Sequence, residues 1–252
     1  MPTDPHFYLF AIPAVILIGL AKGGFTGLGA LGTPLMALGM DDPVRAAAIL
    51  LPILVAQDVV GVLAFRKSWD GRVLAAMLPG AAVGIGLGWL LAARISSGAV
   101  MAVLGAISIL FGTYRLAVER GGRIAASSDS PAWVGSLFGV AAGFTSQIAH
   151  AGGPPFQMWV MPRRLERDAF VGTSAIFFAV VNWIKVPAYA ALGQFTIANA
   201  LAAAALLPLA VLASLAGVKL VRRVSMERFY AIVYVLMIVA GGKLLLDGLR
   251  LA

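Results

Sequence analysis

The stretch "GLAKGGFTGLGALGTPL", Gly19 to Leu35, interrupts an otherwise apolar segment with a lysine, two threonines, a proline and a crowd of glycines. Gly23, Gly24, Gly27, Gly29 and Gly32 place five glycines within ten residues, and Pro34 follows. Glycine adopts backbone conformations that a helix forbids and proline withholds a donor, so the helix is expected to unwind here. Irregular backbone at membrane depth persists only where it is buried in protein or lines a watery cavity. The break therefore predicts a cavity. Helix ends turned toward such a cavity present unpaired N–H groups and a partial positive charge, which favour an anion.

The membrane premise comes from the surrounding composition. Of 252 residues, 61% are hydrophobic and 12% charged, and the mean hydropathy is +0.95. That is more apolar than a water-soluble domain requires. Apolar runs of about 17 to 25 residues, each enough to cross a hydrocarbon layer of roughly 30 Å, recur along the chain. The net charge of +8 is carried mostly at the ends of those runs, a pattern of membrane topology rather than of nucleic-acid binding. The absence of cysteine excludes disulfides and thiolate metal sites, and no cofactor or metal is expected. An acidic residue and no basic cluster precede the first run, so it is expected to be retained rather than cleaved.

The apolar segments fall at 7–22 and 27–40 around the break, then at 44–65, 72–93 and 98–118. A polar stretch, "ERGGRIAASSDSP", separates them from 132–147 and 150–161, again around a break, and from 168–191, 196–221 and 227–249. "GFT" at Gly24 to Thr26 recurs at Gly143 to Thr145, and each copy is followed by a Gly-x-Pro step, Gly32 to Pro34 and Gly152 to Pro154. Farther on, Pro79, Gly88, Arg94, Ser96 and Gly112 match Pro208, Gly217, Arg223, Ser225 and Gly241 in one constant register. The chain therefore reads as a duplication. Residues 1–118 form a first transmembrane repeat, 119–131 a cytoplasmic linker and 132–252 a second repeat.

Charges at equivalent turns have opposite bias. "MDDP" is acidic where its counterpart "PRRLERD" is basic, and "FRKSWDGR" is basic where "ALGQFT" is uncharged. Opposite bias implies opposite orientation across the membrane. The expected fold is an all-α polytopic membrane protein of two inverted-topology repeats. Each holds a broken helix pair, re-entrant or short-crossing, and three further transmembrane helices. Segments 66–72, 119–131, 162–168 and 219–228 would face the cytoplasm.

Candidate site residues cluster in the breaks and in mid-span. Lys22, Gly24, Thr26 and Gly27 belong to the first break; Thr145, Ser146, Gln147, His150, Gly152 and Gly153 belong to the second. Lys22 points into a cavity if its segment stops at mid-depth, and snorkels to the interface if the segment crosses. Lys185 sits in mid-span, where a charge costs roughly 2.5 to 3.5 kcal/mol on insertion scales. Either it attracts an anion or it is paired structurally with Asp58, which lies mid-span beside Gln57. Asn182 lies one turn before Lys185, and Trp183 is expected to face the cavity. Trp69, Trp89, Trp133 and Trp159 lie near span ends, where interfacial anchoring accounts for them. Asp58 is also a candidate to carry a coupling proton, since burial disfavours the carboxylate. Glycines such as Gly84 and Gly88 are expected to serve close helix packing.

The glycine-rich first break, the answering "AGGPP", the "GTSA" at Gly172 to Ala175 and the repeated half resemble the TauE/SafE family of sulfite and sulfonate exporters, over about residues 9–249. The first break, "KGGFTGLGALGTP", is less glycine-dense than the "GxGGG" of many members. The resemblance implies a multi-pass secondary transporter of the bacterial inner membrane. Its partners would be lipid, a coupling proton or other ion, and a small sulfur-containing anion such as sulfite, sulfoacetate or a related organosulfonate. Without a Gly-x-x-x-x-Gly-Lys-Ser/Thr loop, direct use of ATP is not expected. Two rivals are an anion channel of the same fold and an intramembrane serine hydrolase using Ser146 and His150, four residues apart.

Overall fold

A computed structural model describes residues 4–25, 28–40, 42–92, 96–119, 130–163, 165–221 and 227–251. Those residues form helices and turns and contain no strand. The helices are α1 (Pro5–Lys22), α2 (Gly32–Leu38), α3 (Pro43–Phe65), α4 (Gly71–Ala92), α5 (Ser97–Glu119), α6 (Ala132–Ala149), α7 (Gly153–Val160), α8 (Arg167–Ala191), α9 (Ile197–Leu220) and α10 (Glu227–Leu251). Among the described residues six helices are long and apolar enough to span a membrane: Pro5–Lys22, Val44–Phe65, Gly71–Leu91, Met101–Val118, Arg167–Ala191 and Ile197–Leu220. Most of the expected linker, 120–129, and the basic residues Arg222 and Arg223 lie outside the described residues.

Helix starts follow from local chemistry. Asp42 accepts from Val44 N at 3.0 Å and Arg45 N at 3.1 Å, with Pro43 as the first residue of α3. Asp70 accepts from Arg72 N and Val73 N at 2.8 and 3.0 Å. A side-chain acceptor at this position satisfies amides that the helix cannot, and proline loses nothing in the first turn.

The two broken segments are hairpins. α1 runs parallel to α9: Phe7 packs in one cluster with Ala202 and Ala203, Gly19 meets Ala213, and Gly23 meets Gly217. α3 begins where α9 begins, since Arg45 Nε donates to Asn199 Oδ1 at 2.9 Å. The chain thus leaves along α1 and returns through α2 to the end it started from. α6 likewise runs parallel to α4, with Gly139 against Met77, Gly143 against Ala81 and Gly88 against Gln147. α8 begins beside the start of α4, where Thr173 Oγ1 accepts from Asp70 N at 2.8 Å. Both broken segments thus double back toward the end at which they began.

The principal packing pairs, α1 with α9, α4 with α6, α5 with α10 and α3 with α8, are preserved when α1–α5 are exchanged for α6–α10. Small residues make this closeness tolerable, because helices surrounded by lipid associate through packing rather than through exclusion of water. A Cβ added at Gly84 would lie 2.1 Å from the carbonyl oxygen of Val140, and one at Gly88 would lie 2.9 Å from Gln147. Packing is indeed what these glycines do. Gly86, on the same helix, has open space around it. Gly84→Ala is expected to force α4 and α6 apart and to cost about 1 to 3 kcal/mol, whereas Gly86→Ala leaves stability unchanged or slightly raised. Thermal unfolding of the two purified variants measures the difference; equal melting would contradict this packing.

Candidate functional site

A cavity of about 90 Å³ opens between the two hairpin tips and α3 and α8. That is room for several waters or one small oxyanion. Its polar lining comes from Lys22 and Thr33 of the first hairpin, Ser146, His150 and Gln157 of the second, and Ser174 and Asn182 of α8. Ile18, Leu54, Val171 and Phe178 supply apolar walls. The cavity expected from the glycine-rich break is present where the break is.

Lys22 ends α1 and forms an ion pair with Asp58 Oδ1. Gly61, one turn after Asp58 on α3, allows that approach, because a Cβ there would sit 3.1 Å from the Lys22 carbonyl oxygen. Asn182 Nδ2 donates to the other carboxylate oxygen, Asp58 Oδ2, at 2.6 Å. Asp58 is 2% exposed, so its two oxygens depend on these partners. The Lys22 ammonium also lies 5.2 Å from the ring centroid of Phe178, close enough for a cation–π contact.

Lys185 is fully buried but does not pair with Asp58. Its ammonium nitrogen lies 3.2 Å from Ser146 O and 3.1 Å from Ser146 Oγ, and 2.6 Å from His150 Nδ1. His150 Nε2 lies 2.7 Å from Ala47 O. A carbonyl oxygen only accepts, so Nε2 carries the proton and Nδ1 is left to accept from Lys185. Both ring nitrogens are thereby occupied, which removes the base that the serine hydrolase reading required of His150. The ring also stacks on Tyr189, with centroids 5.9 Å apart, and Tyr189 donates to Gln147 O at 2.9 Å.

The other expected site residues are placed as follows. Gly153 lines the cavity. Thr145 Oγ1 is turned to the backbone oxygens of Ala141, at 2.8 Å, and Ala151, at 3.0 Å, where it secures the tip. Gly24 has φ +130° and faces Val221, so it is the reversal point after α1 rather than a contact surface. Gly152 is packed against Ala142 and Ser146. Gln57 Nε2 donates to Ala210 O at 3.2 Å, toward α9, and the Gln147 side chain is buried against Gly88. Trp183 is 61% exposed on the outer surface and does not line the cavity: one residue past Asn182, it is turned about 100° around the helix. Trp159 is buried rather than interfacial, beneath the Arg163 guanidinium at 3.7 Å. Thr26 and Gly27 lie outside the described residues.

The expected cradle of backbone amides is smaller than the breaks suggested. Pro34 falls within the first turn of α2, and Pro154 and Pro155 within that of α7, and none has an N–H. Side chains supply most of the donors instead. Thr33, Gln157, Ser174 and Phe178 were not singled out from the sequence. For Ser174 and Phe178 the signal was a helical face: Val171, Ser174, Phe178, Asn182, Lys185 and Tyr189 recur at spacings of three and four residues along α8.

A helical, membrane-spanning protein with a polar cavity between two hairpins has features expected of a transporter. The family model for the sulfite exporter TauE/SafE matches residues 11–244, and the chain belongs to that family. Its members are membrane transporters of sulfite and related anions, not enzymes. No curated protein and no solved structure matches the chain.

Breaking a mostly buried ion pair leaves a stranded charge at a cost of about 3 kcal/mol or more. Lys22→Met and Asp58→Asn are each expected to lower stability, and the double variant to lose less than the sum of the two. A double-mutant cycle read by thermal unfolding tests this, and strict additivity would show that the pair is not formed.

Proposed function

We propose that this chain is a secondary transporter that carries a small sulfur-containing oxyanion, sulfite or a short organosulfonate such as sulfoacetate, out across the bacterial inner membrane. The ligand sits between the two hairpin tips. The observation that carries this reading is a charge count: among the described residues around the cavity, two lysines, the part-buried Lys22 and the buried Lys185, face one carboxylate, Asp58. Formal positive charge exceeds negative charge in a site withdrawn from water, and such a site attracts an anion. Lys22, Ser146, Asn182 and Ser174 would hold the oxygens, while Lys185 acts from behind Ser146 and His150.

The two halves would be inverted repeats, rocking against each other so that the cavity opens to either side in turn. The exchange symmetry of the packing pairs supports this. So do the contacts that bring the basic segments together: Arg163 Nη2 donates to Ser130 O at 2.9 Å and Arg167 Nη1 to Val221 O at 3.4 Å. Collected at one end, these segments would face the cytoplasm. Asp58 is the coupling candidate.

Sulfite or ethanesulfonate at a hundred times its Kd is expected to stabilise the purified protein by about 2.7 kcal/mol. Ser146→Ala and Lys185→Gln should weaken this shift at least tenfold in ligand concentration, and Trp183→Ala should leave it intact. Proteoliposomes should show saturable uptake with counterflow. Flux that neither saturates nor exchanges would identify a channel, and ligand shifts equal in all three variants would remove the site.

A further inference from the structure

Lys22 reaches the cavity at the tip of the first hairpin, and Asp58 already holds its ammonium. An anion that binds Lys22 therefore meets a carboxylate engaged with the same cation. Two negative groups on one ammonium away from bulk water repel each other, and the weaker acid of the two is relieved by a proton. Resting on the anion-transport reading, we propose that the anion and Asp58 compete for Lys22, so that each bound anion is accompanied by one proton on Asp58 and the two are carried together.

The geometry names the oxygen. Asn182 Nδ2 occupies Oδ2 at 2.6 Å, so the proton goes to Oδ1, the atom that Lys22 leaves. Water in the cavity delivers it as hydronium. An O–H bond forms on Oδ1, one O–H bond of hydronium breaks, and a water molecule remains. Before loading, Lys22 and Asp58 carry +1 and −1; after loading with a monovalent anion, Lys22 and the anion carry those charges and Asp58 is neutral. The empty and loaded sites thus have equal charge.

Access and neighbours fit this assignment. Asp58 is 2% exposed, but Lys22 and Asn182, its two partners, both line the cavity. The charged or titratable groups facing it from elements packed on α3 are Lys22 on α1, Lys185 on α8, and His150 at the end of α6, bonded to Lys185. α2 carries no titratable side chain. Lys219 of α9 is exposed, and Arg115 of α5 is engaged by Tyr234 and Met161.

Calorimetric titration of the purified protein with ethanesulfonate, a probe that stays monovalent at neutral and mildly acidic pH, tests the proposal. The wild type is expected to take up about one proton per anion, read from heats in buffers of different ionisation enthalpy, and to lose affinity about tenfold per unit rise in pH. In Asp58→Asn the pH slope and the proton uptake should both vanish. Should that variant fail to fold, the same titration of His150→Gln decides: proton uptake that persists there supports Asp58, and uptake that vanishes with the anion still bound overturns it. Binding without proton uptake, or a slope that survives in Asp58→Asn and so belongs to another group such as His150, would overturn the proposal while leaving the anion reading standing. No binding at any pH would overturn both.

Discussion

A charge drawn into a membrane protein must be answered from within, and that demand organises this molecule. Asp58 is answered by Lys22 and Asn182, and Lys185 by Ser146 and His150. These contacts join α1, α3, α6 and α8, and they require that two hairpin tips arrive at one place. The glycines follow from that requirement. Gly61 admits the Lys22 backbone, Gly24 turns the chain after α1, and the glycines of α4, α6 and α9 let the hairpins lie against their neighbours at backbone contact.

The frame and the site have different physical characters. α1 against α9 and α4 against α6 interlock through small residues, so each hairpin is held along its length by one long helix of the other half. At the tips the packing gives way to short helices and polar side chains around a cavity. A rigid arm with a loosely filled end is suited to moving as a unit about a fixed ligand. The apolar wall of Ile18, Leu54 and Phe178 stands beside the polar donors of that cavity.

Much of the fold was legible in the sequence because lipid imposes a simple rule on it. Each of the ten apolar segments became a helix, with ends displaced by a few residues, and the glycine and proline clusters marked both breaks. Membership of the TauE/SafE family was legible as well. Side-chain partners were less so. The sequence suggested Asp58 with Lys185, both being mid-span; the structure pairs Asp58 with Lys22, because partner choice depends on how two helices are rotated, which apolar periodicity does not encode. Trp183 faces outward because Asn182 and Lys185 define the inner face and it lies between them. The prolines that announced the breaks also removed amides from the expected cradle, a trade that spacing alone does not reveal.

Diffraction from crystals soaked in selenite, the heavier analogue of sulfite, measured at the selenium edge, tests the site most directly. The account predicts one selenium peak between the hairpin tips, within hydrogen-bond reach of Lys22 Nζ and Ser146 Oγ. Selenium bound only at the outer surface, or an unchanged cavity at a selenite concentration that saturates the protein, would contradict it.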